Sequence, residues 1–133
     1  MKVLSLTEPY ATLIKIGKKK IETRSWKTNY RGKLYIHSSS TATSKEDRNN
    51  AALMSLVNTD ELNYGNIICS CELVDCIEMT DEFIETIKQN EIEYITGLYE
   101  KGRYAWILED VQILDRPIKA KGHLGIWNYN QSN

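Results

Sequence analysis

The sequence predicts an α+β domain, a small mixed and mostly antiparallel β-barrel with α-helices packed on its outside. Three observations carry this. Strand-like segments stand at both ends of the chain and alternate with short helical ones in the order β-α-β-β-α-β-α-β-β. No Gly-rich loop follows a strand, which disfavours a dinucleotide-binding parallel sheet. The 133 residues, 41% hydrophobic and 26% charged, suffice for one self-supporting core and hold no linker, repeat or low-complexity tract. One domain is expected over 1–129, with a frayed tail at 130–133.

The elements follow in order. "KVLSL" (2–6) reads as a strand and "TEPYATLIKIG" (7–17) as a helix. Thr7 can cap that helix, Pro9 suits its first turn, and Gly17 can close it in the left-handed conformation. Tyr10, Leu13 and Ile14 make its buried stripe. "KIETRSW" (20–26) reads as a strand and "KLYIHSS" (33–39) as its hairpin partner, joined by "KTNYRG". Residues 43–57 read as a helix, with Thr43 and Glu46 at capping-box spacing. A long strand covers 66–79. A helix over 80–90 is marked by Thr80 as cap, Asp81 and Glu82 in the first turn, and Met79 stapling onto Ile84. "EIEYITGLYEKG" reads as a second short helix. "RYAWILEDVQIL" and "PIKAKGHLGIWNY" read as two closing strands separated by "DRP".

Charge and cysteine content narrow the function classes. The net charge of −1 argues against a strongly basic nucleic-acid binder, but the distribution is polar. Lys15, Lys18, Lys19, Lys20, Arg24, Lys27, Arg31 and Lys33 face only Glu22 within 15–33, whereas 60–100 is acidic and holds Lys88 as its one cation. Such runs read either as two solvated faces or as a local anion site. Cys69, Cys71 and Cys76 are odd in number and have no histidine nearby, so they read as small buried hydrophobes; no metal and no cofactor is expected. No apolar run reaches the roughly 20 residues of a membrane helix, and the N-terminus lacks signal-peptide character, so the expected location is the cytoplasm, with no membrane partner.

The strand at 20–26 is the segment that asks for a function. Alternation puts Ile21, Thr23 and Ser25 on one face and Lys20, Glu22, Arg24 and Trp26 on the other. A solvated face does not want Trp26, and a dry core does not want Glu22 and Arg24 unpaired. A half-buried groove satisfies both: Glu22 and Arg24 hold one another or a ligand beside an aromatic wall. Arg24 offers a planar fork, Glu22 an acceptor and Trp26 a stacking face. A structural salt bridge is the plain alternative. Tyr10 reads as core or cleft wall, His37 as a satisfied barrel histidine, and Trp106 and Trp127 as core.

Three blocks resemble the ASCH domain family, of the PUA-like superfamily. "LSLTEPYATLIKIGKKKIETRSW" is similar to the family's "LS", then "PY", then G-x-K-x-x-E-x-R, which falls on Gly17, Lys19, Glu22 and Arg24. "YRGKLYIHSS" is similar to its R-G-x-L-x-I-H, and "YAWILEDVQIL" with "PIKAKGHLGIW" to its closing strands. The resemblance implies a PUA-like barrel with a cleft between barrel and first helix, lined by the motif residues. It selects Lys19 where strand alternation selects Lys20. The two agree if the strand begins only at Ile21, leaving Lys19 in the preceding turn with its stem swung into the cleft.

Two functions follow from the resemblance. As a binding module the domain would hold RNA, single-stranded DNA or a nucleoside in a basic cleft. Pro9, Tyr10, Lys19, Glu22, Arg24 and Trp26 would receive a base, and Lys18, Lys20, Lys27, Arg31 and Lys33 would hold backbone phosphate. As an enzyme it would resemble the family's amidohydrolases, which act on acylated nucleobases through a Lys-Thr-Glu arrangement; Lys19, Glu22 and Glu72 would be the catalytic set. The Thr position is Glu22 here, so the hydroxyl nucleophile is missing and binding is favoured. A protein partner is left open, unmarked by any large apolar patch.

Overall fold

The computed structural model describes residues 1–130 and shows one curled, six-stranded sheet, a half-barrel. Of the expected frayed tail, 131–133 lie outside the described residues. The strands are β1 (Lys2–Leu6), β2 (Ile21–Arg24), β3 (Gly32–Ser38), β4 (Asn66–Glu78), β5 (Tyr104–Lys119) and β6 (Ile126–Asn128), in the sheet order β2-β5-β4-β3-β1-β6. β1 and β3 run parallel, and the other neighbours are antiparallel. The helices are α1 (Tyr10–Lys15), α2 (Lys45–Arg48), α3 (Ala51–Met54), α4 (Asp81–Lys88) and α5 (Glu91–Ile95).

The expected hairpin between 20–26 and 33–39 does not form. β2 pairs with β5 at one edge of the sheet, and β3 sits in the interior between β1 and β4. The sequence difference explains it. Leu34 and Ile36 are fully buried and suit a strand covered on both sides, whereas four residues carrying Glu22 and Arg24 suit an edge. The break expected at "DRP" is also absent. β5 runs through it, because the β4–β5 register jumps between Ile67↔Ile118 and Cys69↔Ile113. Pro117 therefore lies in a bulge, where its missing N–H costs no ladder bond.

The helix expected over 43–57 is two short ones. Asn50 breaks it by capping α3, its side chain accepting from Leu53 N, while Ser44 caps α2 through Asp47 N. Asparagine bonds its own backbone more readily than it continues a helix. Thr43 bonds the Tyr64 hydroxyl instead, at 2.6 Å. α4 begins as expected, with the Thr80 hydroxyl accepting from Phe83 N at 3.1 Å, and Met79 packs in one cluster with Phe83, Ile84 and Ile87.

The main core lies between α1 and the sheet and includes Leu4, Leu6, Ile14, Leu34, Ile36, Leu73, Trp106 and Leu108. Cys69 and Cys71 are part of it as free thiols, and burial pushes both up to about 12. α1 closes on Gly17 at φ +82° as expected, but Thr7 is not its cap. The carboxylate of Glu8 fills that role, accepting from Thr12 N at 2.8 Å and Thr12 Oγ1 at 2.7 Å.

Candidate functional site

The curl brings β2, at one edge of the sheet, close to the last residues of β1. β6 covers only Lys2–Leu4 of β1, so Ser5 and Leu6 are uncovered on that side. Arg24 reaches across the gap, and its Nη2 donates to Ser5 O at 3.2 Å. The gap opens into a cleft of about 690 Å³, within the usual size range of small-ligand sites. β1 and its following turn, β2 through Trp26, α2, and the turn after α5 form its walls.

Lys19 lies in the turn that follows α1, since β2 starts at Ile21. Its stem is fully buried, and its ammonium donates to Thr96 O and lies 3.8 Å from Glu22 Oε1 and 5.7 Å from the centre of the Tyr10 ring. Burial pulls its pKa below the ordinary lysine value, and Glu22 and Glu93 pull it partly back. Glu22 stands opposite Trp106 on β5, so its side chain shares the inner face of the sheet with the main core. Arg24 Nε is 2.9 Å from Glu22 Oε2, an ion-pair distance, yet its N–H is not aimed along that line and is left without a hydrogen bond. Trp26 closes the row. It packs edge-on against buried Trp106, with ring centres 4.8 Å apart, and is itself 38% exposed.

The opposite wall is acidic. Tyr10 donates its hydroxyl to Asp47 Oδ1 at 2.9 Å. Burial first, and that bond second, raise the pKa of the phenol, so it stays a donor. Contacts thus run without a break from Ser5 through Arg24, Glu22, Lys19 and Tyr10 to Asp47. α5 and the turn after it are clamped onto β2 and the residue before it. Glu93 accepts from Lys20 N at 3.0 Å and Ile21 N at 3.2 Å, Leu98 N donates to Thr23 Oγ1 at 3.0 Å, and Arg103 Nη2 donates to Thr23 O at 3.3 Å.

Of the predicted base-receiving residues, Tyr10, Lys19, Glu22, Arg24 and Trp26 line this cleft, and Pro9 is buried behind it. The predicted phosphate residues do not line it. Lys18, Lys20 and Lys27 are exposed beside it in the chain, and Lys18 donates to Leu56 O. Arg31 is held by Thr28 O, Tyr30 O and Asp75. Lys33 lies over Tyr35 on the outer face of β3. The expected basic cleft is instead mixed: Lys19, Arg24 and Arg103 face Glu22, Glu46 and Asp47.

The catalytic set also comes apart. Glu72 stands opposite Lys33 and Glu109, on the face of β4 turned away from Leu73 and the main core, and does not line the cleft. A one-residue step along a strand reverses the side chain's direction, so Glu72 cannot join Glu22. Sequence reasoning missed Arg103, Asp47 and the turn at 96–98. Arg103 is a lone cation before a strand, and Asp47 belongs to a stretch that reads as a solvated helix; neither carries a local signal. Among the described residues no group of three or more His, Cys, Asp and Glu could hold a metal ion, and no helix is long and apolar enough to cross a membrane.

Comparison with known proteins agrees with this architecture. The chain is 26% identical over 125 residues to mouse Activating signal cointegrator 1, covering 93% of this chain and 21% of that protein. It therefore spans about a fifth of the length of that relative. The crystal structure of ASCH from Zymomonas mobilis superposes with a TM-score of 0.54 at 19% identity, over 89% of this chain and 72% of the other, a likeness of fold. The family model of the ASCH domain matches residues 4–118. The chain belongs to the ASCH domain family.

Proposed function

We propose that the domain binds single-stranded RNA and takes one base into the cleft. The observation that carries this is the convergence of Lys19, Glu22 and Arg24 in one recess, with Trp26 half-exposed at its rim. A base needs both donors and acceptors around its edge and a flat apolar partner for its face; Arg24 offers donors, the Asp47 carboxylate on the cleft wall offers an acceptor, and Trp26 offers the face. The ASCH family is associated with RNA binding. The balance of charge inside the cleft favours a base over phosphate there. Phosphates would run outside it, along the exposed Lys18, Lys20 and Lys27.

The test is binding of a labelled single-stranded RNA octamer, followed by fluorescence anisotropy over a salt series. Trp26→Ala should weaken binding roughly tenfold, the stacking contribution of one base. Replacing Lys18, Lys20 and Lys27 by Gln should flatten the slope of log K against log salt by about 2. Binding that ignores Trp26→Ala, or no binding at low salt, would sink the reading.

A further inference from the structure

We infer that the base taken by the cleft is guanine; the inference rests on the RNA-binding reading above and specifies its ligand. Its ground is the segregation of charge. At one end of the contact chain Arg24 uses Nη2 on Ser5 O and keeps its Nε buried against Glu22, while Nη1 has no partner among the described residues and is not buried. At the other end Asp47 has spent Oδ1 on the Tyr10 hydroxyl, and Oδ2 has no partner among the described residues. Glu22 lies between them with one oxygen toward Lys19 and the other toward Arg24. It neutralises the two cations and is not the open acceptor. The open groups are thus guanidinium N–H groups of Arg24 and Arg103 on the strand side and the carboxylates of Glu46 and Asp47 on α2.

The four bases differ in how donors and acceptors are arranged. Guanine has acceptors, O6 and N7, along one edge and donors, the N1–H and the N2 amino group, along another. Adenine and cytosine each carry a single donor group, the amino group, with ring-nitrogen acceptors beside it. Uracil has one N–H between two carbonyls. A guanidinium is suited to O6 and N7 together, and a carboxylate to donor groups. A site that keeps its guanidinium groups and its carboxylates on separate walls matches the one base that offers both two adjacent acceptors, O6 and N7, and two adjacent donors, N1–H and the N2 amino group. Trp26 then stacks on the purine face.

The experiment uses RNA nonamers with a single variable base in a uridine background, so that no quadruplex forms. Guanine at the centre should bind roughly tenfold tighter than adenine, cytosine or uracil. Inosine lacks the N2 amino group and 7-deazaguanine lacks N7; each should lose a large part of that advantage. Asp47→Asn keeps the Oδ1 acceptor for Tyr10 but turns Oδ2 into a donor. In that variant guanine and inosine should bind equally, while the 7-deazaguanine penalty persists; a native thermal transition verifies that it is folded. Equal binding of all four bases, or of inosine and guanine in the unaltered protein, overturns the guanine assignment and leaves RNA binding standing. Absence of binding to every nonamer overturns both. A deoxyribose nonamer with central guanine, binding as tightly, would extend the assignment to single-stranded DNA without altering the base.

Discussion

Two buried glutamates, Glu8 and Glu22, stand fourteen residues apart in the chain and differ in every respect that matters for function. Glu8 is 0% exposed, and its carboxylate accepts from Thr12 N, Thr12 Oγ1, Ser38 Oγ and Asn63 N. Its charge is met wholly by hydrogen bonds from the start of α1, the end of β3 and the loop before β4. Glu22 is 7% exposed and is met by two cations, Lys19 and Arg24, through distances of 3.8 and 2.9 Å. A buried carboxylate saturated by neutral donors is finished and serves the fold. One held by charges that keep unused N–H groups leaves bonding capacity facing a cleft. Burial alone therefore does not distinguish a structural acid from a site acid; the state of its neighbours does.

Breaking the closed network should have the largest effect. Glu8→Ala leaves four donors without their acceptor, each costing about 1–3 kcal/mol if it stays dry. Rotation of the two hydroxyls recovers part of that, and a net loss of at least about 3 kcal/mol is expected as a lowered urea midpoint. Glu22→Gln is near-isosteric and opens to water, so its stability cost should be smaller, about 1–2 kcal/mol. Its signature lies in binding. With the counter-charge of Lys19 and Arg24 removed, the salt dependence of RNA binding should steepen. A Glu22→Gln protein less stable than Glu8→Ala, with unchanged salt response, would erase the distinction between the two networks.

The same contrast explains what the sequence disclosed. Glu22, Arg24 and Trp26 were legible because charge and aromaticity broke the alternation of one strand within a few residues, whereas Lys19 came from the family's G-x-K-x-x-E-x-R spacing, since alternation alone selects Lys20. The strand boundary at Ile21, which settles Lys19 against Lys20, follows from Gly17 ending α1. Partnerships across long distances were not legible. The pairing of β2 with β5 depends on which strand the curled sheet leaves at its edge. The Asp47 wall depends on Asn50 capping α3 rather than continuing a helix. Glu72 was misassigned because its face is set by β4's register, with a bulge between Ser70 and Glu72, and strand identity alone does not give it.

A substitution of intermediate effect tests the clamp that keeps the open network in shape. Gly97 lies in the turn that brings Thr96 O to Lys19. A Cβ there would stand 2.8 Å from Tyr99 Cε2 and 2.9 Å from Thr23 Cγ2, closer than real contacts allow, and its φ is not in the left-handed region. The obstacle is therefore space and not backbone conformation. Gly97→Ala should cost about 1–2 kcal/mol through displaced side chains. It should also weaken RNA binding, because β2 and Thr96 O, the acceptor of the Lys19 ammonium, move together. Gly97→Ala with Thr23→Ser, which removes the clashing methyl and keeps the hydroxyl for Leu98 N, should recover part of both.

Ser5 joins the open network to a second closed one, and pH separates them. Its carbonyl receives Arg24, while its hydroxyl is 2.9 Å from His37 Nδ1 and accepts from Trp127 Nε1 at 3.0 Å. His37 Nε2 must donate to Ala120 O, 2.7 Å away, so Nδ1 is the acceptor and Ser5 the donor to it. Burial, chiefly, lowers the pKa of this imidazole below its ordinary 6.5. The folded state thus holds it neutral where the unfolded chain has begun to take up a proton. Its contribution to stability is complete above pH 6.5 and is lost as pH falls toward the folded-state value. Urea midpoints measured from pH 7.5 down to 5.5 should decline, and His37→Gln should be less stable throughout but flatter over that interval. The decline should be smaller than the loss in Glu8→Ala, since one ring proton is at stake and not four donors. RNA affinity of the folded protein should change little over the same interval, because the Arg24–Ser5 contact uses the backbone oxygen and not the hydroxyl that His37 holds.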